Sequence, residues 1–177
     1  LPLVVLLHGA TGSGRGWFGS YAQRADDARV ILLAPDSRAY TWDALEGEAF
    51  GRDVRFIEAA IASAFDRCHI DATRMSLVGF SDGASYALSL GLANGDLFQK
   101  VVAYSPGMIA TDVRVGRPAI RILHGVNDFV LPIEQTSRRI VPELRASGYS
   151  VTYTEFEGGH EVPSFVSDLG MAWLQGS

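Results

Sequence analysis

Gly79-Phe80-Ser81-Asp82-Gly83 sets a serine in the pattern G-x-S-x-G, the signature of a turn sharp enough to lift a side-chain hydroxyl clear of the backbone. Glycine is needed at both ends because side chains two positions either side of the serine would collide. From such an elbow Ser81 can attack a carbonyl carbon. A serine hydroxyl is nevertheless a poor nucleophile near neutral pH. It requires a base in reach, an acid that orients the base, and N–H donors for the oxyanion that forms.

Four histidines compete for the role of base, and position separates them. His160, in Glu157-Gly158-Gly159-His160-Glu161-Val162-Pro163, follows the last apolar run on a glycine-rich loop that can carry an imidazole over the serine. His8 and His124 each precede a glycine at the end of a strand-like run and read as structural, while His69 reads as a surface residue. For the acid, Asp128 on the turn His124-Gly125-Val126-Asn127-Asp128 gives the chain order Ser81, Asp128, His160 that suits a parallel α/β sheet. Asp112, Glu134 and Asp168 are weaker candidates, the first in a loop and the others within helical segments.

Two backbone amides are candidates for the oxyanion. One is that of Asp82, which follows the nucleophile; the other is that of Ala10, in the loop His8-Gly9-Ala10-Thr11-Gly12-Ser13-Gly14. That loop has neither the lysine of a phosphate-binding loop nor the G-x-G-x-x-G spacing, so a nucleotide is excluded. The Asp82 carboxylate would oppose an oxyanion about 6 Å away by roughly 3 kcal/mol at an effective dielectric of about 20. Its side chain is therefore expected to point away, capping the helix or meeting an arginine.

These groups must be held by regular elements. Continuous apolar runs at 3–7, 30–33, 75–78, 101–104, 120–123 and 151–156 alternate with longer segments, as in a parallel sheet covered on both faces. Val54, Ile57, Ile61 and Phe65 share one face of a predicted helix over 53–65, and a small-residue helix over 84–93 follows the elbow, stopping at Asn94-Gly95. Pro132 suits a first helical turn and Pro142 predicts a kink or two short helices. Pro163 opens a last helix whose stripe is Val166, Leu169, Trp173 and Leu174. The connection over 105–118 is too short for a large lid. The expectation is one three-layer α/β domain spanning 1–177, with a mainly parallel sheet of about six strands.

Composition bounds the partners. A chain of 177 residues, 47% hydrophobic, is long enough for one well-filled core. Its net charge of −5, its one lysine (Lys100) and its fourteen scattered arginines leave no basic stripe for nucleic acid. Cys68 is the only cysteine, so there is neither a disulfide framework nor a multi-cysteine metal site; it reads as a small filler near a helix end. No run reaches the roughly 18 apolar residues of a membrane span. Opening on leucine, the chain is expected to have lost a leader or an extra strand upstream. The compartment stays open, with cytoplasm favoured.

On Leu7-His8-Gly9, Ala34-Pro35-Asp36, the Gly79–Gly83 elbow, Ser105-Pro106-Gly107, His124-Gly125 with Asp128, and Gly158-Gly159-His160, the chain resembles the α/β-hydrolase superfamily. Within it the likeness is to the compact phospholipase/carboxylesterase group, which includes acyl-protein thioesterases and small bacterial esterases. The resemblance implies a serine carboxylic-ester hydrolase with no metal or organic cofactor, working through an acyl-enzyme on a small-molecule ester, with Ala10 and Asp82 amides binding the oxyanion. The alternatives are an acyl thioesterase with the same triad and a catalytically silent binding protein. Glutamine or methionine is common in such relatives where this chain has Asp82, and their sheet usually has eight strands. Six strands leave an edge through which a homodimer could pair. Trp17, Trp42, Met108, Phe129 and Val130, with Tyr40 and Ile109, are candidates for an apolar substrate pocket; Arg38 and Arg15 read as solvated surface residues.

Overall fold

A computed structural model describes residues 1–47 and 49–176. Strands β1 (Leu3–Leu7), β2 (Ile31–Leu33), β3 (Met75–Phe80), β4 (Lys100–Tyr104), β5 (Ala119–Gly125) and β6 (Val151–Phe156) form one sheet in the order β2-β1-β3-β4-β5-β6. Every neighbouring pair is parallel. The chain steps from β1 outward to β2 and then crosses back to β3, so the order reverses between β1 and β3. Loops leaving those two strands diverge at their carboxyl ends, the usual ligand position in open α/β sheets.

Helices cover both faces. On one lie α2 (Arg52–Arg67), α3 (Asp82–Ala93) and α4 (Ser137–Ala146), burying Ile57, Tyr86, Leu88, Ile140 and Leu144 against Leu3, Val5, Leu77 and Ile122. On the other lie α1 (Gly14–Ala28) and α5 (Ser164–Gln175), burying Tyr21, Val166 and Met171 against Val4, Leu6, Val78 and Leu123. Alternate residues of each strand thus enter different cores, which is why the strands read as unbroken apolar runs. Each such side chain contributes roughly 1.5–3 kcal/mol. Two short 3₁₀ turns (Asp43–Glu46 and Ile133–Gln135) complete the chain. Among the described residues no helix is long and apolar enough to cross a membrane, and no helix or strand interrupts residues 105–118.

Several local expectations are corrected. Helix α1 has no counterpart in the sequence reading, because only Gly14, Tyr21 and Ala25 are buried and its apolar stripe is too sparse to see. The break expected at Pro142 falls instead at Thr136; Pro142 sits inside α4 on its exposed side, where the carbonyl it leaves without an amide partner is on the solvent face. Phe65, at 38% exposure, lies outside the α2 stripe, and Cys68 is exposed just past that helix, not a filler. In α5 the buried face is Val166, Ser167, Gly170 and Met171, while Leu169 is 40% exposed.

Gly170 explains that rotation. A Cβ there would lie 1.9 Å from the Tyr104 hydroxyl oxygen, itself the acceptor of a 2.8 Å hydrogen bond from the buried Tyr21 hydroxyl. The helix turns its smallest residue toward the tyrosine pair. Strand β5 carries a second polar anchor: the fully buried His124, whose Nε2 donates to the Leu131 carbonyl at 3.0 Å while Nδ1 accepts from the Ser137 hydroxyl at 2.6 Å. Burial holds this imidazole below its ordinary pKa of 6.5. Folded chain therefore keeps the ring neutral where unfolded chain protonates it, so this stability is present above pH 6.5 and falls as the pH drops below it.

Gly170→Ala should lose about 1–3 kcal/mol in urea unfolding, and unchanged stability would mean that α5 is free to shift off Tyr104. His124→Gln, which keeps a donor and an acceptor, should lose less stability than the parent chain between about pH 7.5 and about pH 5.5. Equal losses in the two proteins would remove His124 as the source of that slope.

Candidate active site

The elbow has the geometry its sequence demands. Ser81 adopts φ 56° and ψ −121°, in the left-handed half of backbone space that non-glycine residues seldom occupy. Its amide donates to the Tyr104 carbonyl at 2.9 Å, and its carbonyl accepts from Ala84 and Ser85 as α3 begins. Strand β3 runs on through Gly79 and Phe80, two residues past the apolar run, and delivers the serine to the carboxyl end of the sheet.

Three sequence-predicted side chains meet there. Ser81 Oγ lies 2.8 Å from His160 Nε2, and His160 Nδ1 lies 2.7 Å from Asp128 Oδ2. The loop after β6 brings the imidazole across, and its ring rests on Phe80 with centroids 4.8 Å apart. Phe80 in turn stacks on Trp17, 6.2 Å away, which stacks on Tyr21. An aromatic column thus supports the His160 ring.

Asp128 is 4% exposed and fully employed. Its Oδ1 accepts from the Val130 amide at 2.9 Å and the Leu131 amide at 2.7 Å; its Oδ2 faces His160 and, at 3.2 Å, His124 Nε2. Burial alone would raise its pKa, but the Leu131 amide, His160 and the Val130 amide outweigh that and hold the carboxyl below its ordinary value. An ionised Asp128 takes the proton of His160 Nδ1 as a hydrogen bond, which leaves Nε2 as the acceptor for the serine hydroxyl.

The loop after β1 passes close by. A Cβ on Gly9 would lie 3.3 Å from Ser81 Cβ, so only glycine lets the backbone come this near without displacing the serine. Among the described residues the amides of Ala10 and Asp82 have no hydrogen-bond partner, whereas those of Thr11 and Gly12 are taken by the carbonyls of Tyr40 and Gly9. His8, 1% exposed, accepts from the Ser37 amide on Nε2 and presents Nδ1 to the Gly9 carbonyl, fixing the loop. Asp36 accepts from the Gly14 amide at 2.6 Å.

Other expectations move. Asp82 meets no arginine; its Oδ2 accepts from the Thr41 hydroxyl at 2.6 Å. Trp42 does not line a pocket. It is fully buried, donates from Nε1 to the His8 carbonyl and stacks on Tyr86, because its loop is drawn inward at Asp43 and Asp53. Trp17 is half-buried in the aromatic column, and Ile109 packs on the core. Met108, Phe129 and Val130 are exposed at 49%, 91% and 66%, on the loops after β4 and β5, and Tyr40 is exposed as well. Arg38 lies over the Phe56 ring, 3.7 Å from its centroid.

Sequence reasoning missed the two fully buried carboxylates. Asp43 accepts from the amides of Ala44, Gly51 and Asp53 and from the Tyr86 hydroxyl; Asp53 accepts from the amides of Arg38 and Asp43. No local pattern announces them, since turn aspartates are common and their partners lie up to 43 residues away. Among the described residues no cluster of histidine, cysteine or carboxylate side chains is arranged to hold a metal.

No protein-family model matches the chain. Feruloyl esterase B of Thermothelomyces thermophilus is 28% identical over 112 residues, a stretch that covers 59% of this chain and 38% of that protein. Among solved structures, esterase PE8 superposes with a TM-score of 0.78 at 23% identity, over 98% of this chain and 91% of its own. S-formylglutathione hydrolase (FrmB) of Staphylococcus aureus gives 0.80 at 15% identity, over 99% and 82%. The Bacillus cereus carboxylesterase gives 0.75 at 19% identity, over 98% and 87%. With the strand order, the elbow and these superpositions in agreement, the chain has the α/β-hydrolase fold.

Proposed function

We propose that the protein is a serine carboxylic-ester hydrolase acting on short to medium acyl esters through an acyl-enzyme. The observation that carries this is the unbroken relay from Ser81 Oγ through His160 to a buried, amide-bound Asp128, with two unpartnered amides beside it. The similarity to esterases, including the partial match to a feruloyl esterase, supports the same reading.

Ser81 Oγ attacks the ester carbonyl carbon as His160 Nε2 takes its proton, and the new negative charge falls on the acyl oxygen between the Ala10 and Asp82 amides. Asp128 stabilises the imidazolium across the Nδ1 hydrogen bond without itself being protonated. Collapse of the tetrahedral species breaks the bond to the alcohol, which leaves with the proton from Nε2. Water repeats the sequence: Nε2 removes its proton, the hydroxide adds to the acyl carbon, and Ser81 Oγ departs reprotonated with release of the acid. The short 105–118 connection has no helix or strand that could serve as a lid, which favours soluble esters over substrates that need one. Met108, Phe129 and Val130 form the apolar rim on which an acyl or alcohol group can rest.

p-Nitrophenyl acetate and butyrate should be turned over, and Ser81→Ala should lower kcat/KM by about 10³-fold or more. Equal rates for the two proteins would leave a binding module in place of an enzyme. Asp128→Asn, which turns the imidazole toward the wrong tautomer, should cost about 10⁴-fold in kcat with KM little changed. A parallel series of acyl esters and acyl thioesters of increasing length separates the esterase from the thioesterase, and faster thioester turnover at every length would favour the latter.

A further inference from the structure

The residue after the nucleophile lends its backbone amide to the proposed oxyanion site, yet its own side chain is a carboxylate. Negative charge on the same residue works against negative charge developing on the acyl oxygen. Among the described residues no arginine, lysine or histidine pairs with Asp82. What holds it is one short hydrogen bond from Thr41, 2.6 Å from Oγ1 to Asp82 Oδ2, with the Thr41 residue only 8% exposed.

Thr41 is itself held on both sides. The next residue, Trp42, is buried with Nε1 bonded to the His8 carbonyl, and the carboxylate of Asp53 binds the amides of Arg38 and Asp43, bracketing the segment. The preceding carbonyl, that of Tyr40, accepts from the Thr11 amide at 3.0 Å, where Thr11 is in the left-handed conformation (φ 60°) just beyond Ala10. One three-residue segment therefore touches both halves of the oxyanion site: through Tyr40 the loop that carries the Ala10 amide, and through Thr41 the side chain of the residue that carries the other amide.

We propose that Thr41 is a positioning residue for the oxyanion step, clamping the Asp82 carboxylate against the 38–43 segment so that its charge stays clear of the acyl oxygen while its amide stays aimed at it. The inference rests on the reading of Ser81 as nucleophile. It explains how this chain tolerates an acid at a position where a negative charge would otherwise slow acylation. The clamp acts on charge development, so its loss falls on the transition state and leaves ground-state binding nearly untouched.

The test uses p-nitrophenyl butyrate with the whole chain. Thr41→Val should lower kcat by about tenfold or more with KM within about twofold, and Thr41→Ser, which restores the hydroxyl, should regain most of the rate. Thr41→Val/Asp82→Asn should recover most of what Thr41→Val loses, since the released group is then neutral. Affinity for an alkyl boronic acid, which forms a tetrahedral anion on the serine, should fall with kcat in Thr41→Val. If Thr41→Val keeps the parent kcat, or if the double variant is as slow as Thr41→Val, the clamp is wrong. Should Thr41→Val fail to fold, Asp82→Glu takes its place: its longer carboxylate cannot sit on Thr41 in the same way, and a parent-like kcat would overturn the proposal. Undiminished turnover by Ser81→Ala would instead overturn the reading of the site itself, so the two failures are distinguishable.

Discussion

The site depends on how closely α3 can approach the ends of β1 and β3. A Cβ on Gly83 would lie 2.0 Å from the Leu7 carbonyl oxygen, and one on Gly79 would lie 2.1 Å from the Gly83 carbonyl oxygen. No side chain fits at either place. Only with both absent can the chain leave β3, pass through a serine at positive φ and enter the helix within one residue. The serine's conformation is costly, on the order of 1–3 kcal/mol, and is sustained because β3 and α3 are both locked into a packed core that cannot relax around it.

Charge in this site is handled by the backbone more than by counter-charges. Asp128, Asp43 and Asp53 are all buried, and each is met by two or three amide N–H groups. Fixed amides satisfy the carboxylate oxygens without a mobile cation, and the carboxylate stiffens the turn that supplies the amides. For Asp128 that turn is its own, residues 128–131, so the group that orients His160 also shapes the loop bearing Phe129 and Val130. For Asp43 and Asp53 it is the 38–53 connection, which holds Thr41 and Tyr40 against the elbow.

How much of this could be read from the sequence follows from where each signal resides. The elbow, the six strands and the order Ser81, Asp128, His160 rest on short patterns and on continuous apolar runs, and the structure brings those three side chains within hydrogen-bonding distance. Strand ends shifted by one or two residues where glycine or a polar residue closes a run, as at Gly79-Phe80 in β3 and His124-Gly125 in β5. Helix α1 leaves no sequence signal because its burial rests on two side chains and a glycine, and the α5 stripe differs from the apolar pattern because Gly170 carries no hydropathy to betray its role. Trp42 was misread for the same reason that Asp43 and Asp53 were overlooked. Whether a loop residue faces a crevice or the core is decided by partners far along the chain, and no local pattern records them.

The division between what is pinned and what is not runs between a buried relay and an exposed rim. Ser81, Asp128 and His124 are buried, and His160 is held by two hydrogen bonds and an aromatic support. Phe129, Val130 and Tyr40 stand at the rim with most of their surface in solvent and Met108 with 49% of its own, and the backbones of Tyr40, Val130 and Met108 bond to Thr11, Asp128 and Ser85. The relay is thus anchored in the core while the rim side chains stand largely in solvent. Changes at the buried carboxylates loosen the turns that hold the amides and the imidazole, and at Asp128 the rim loop moves with them, so they reach the relay geometry directly.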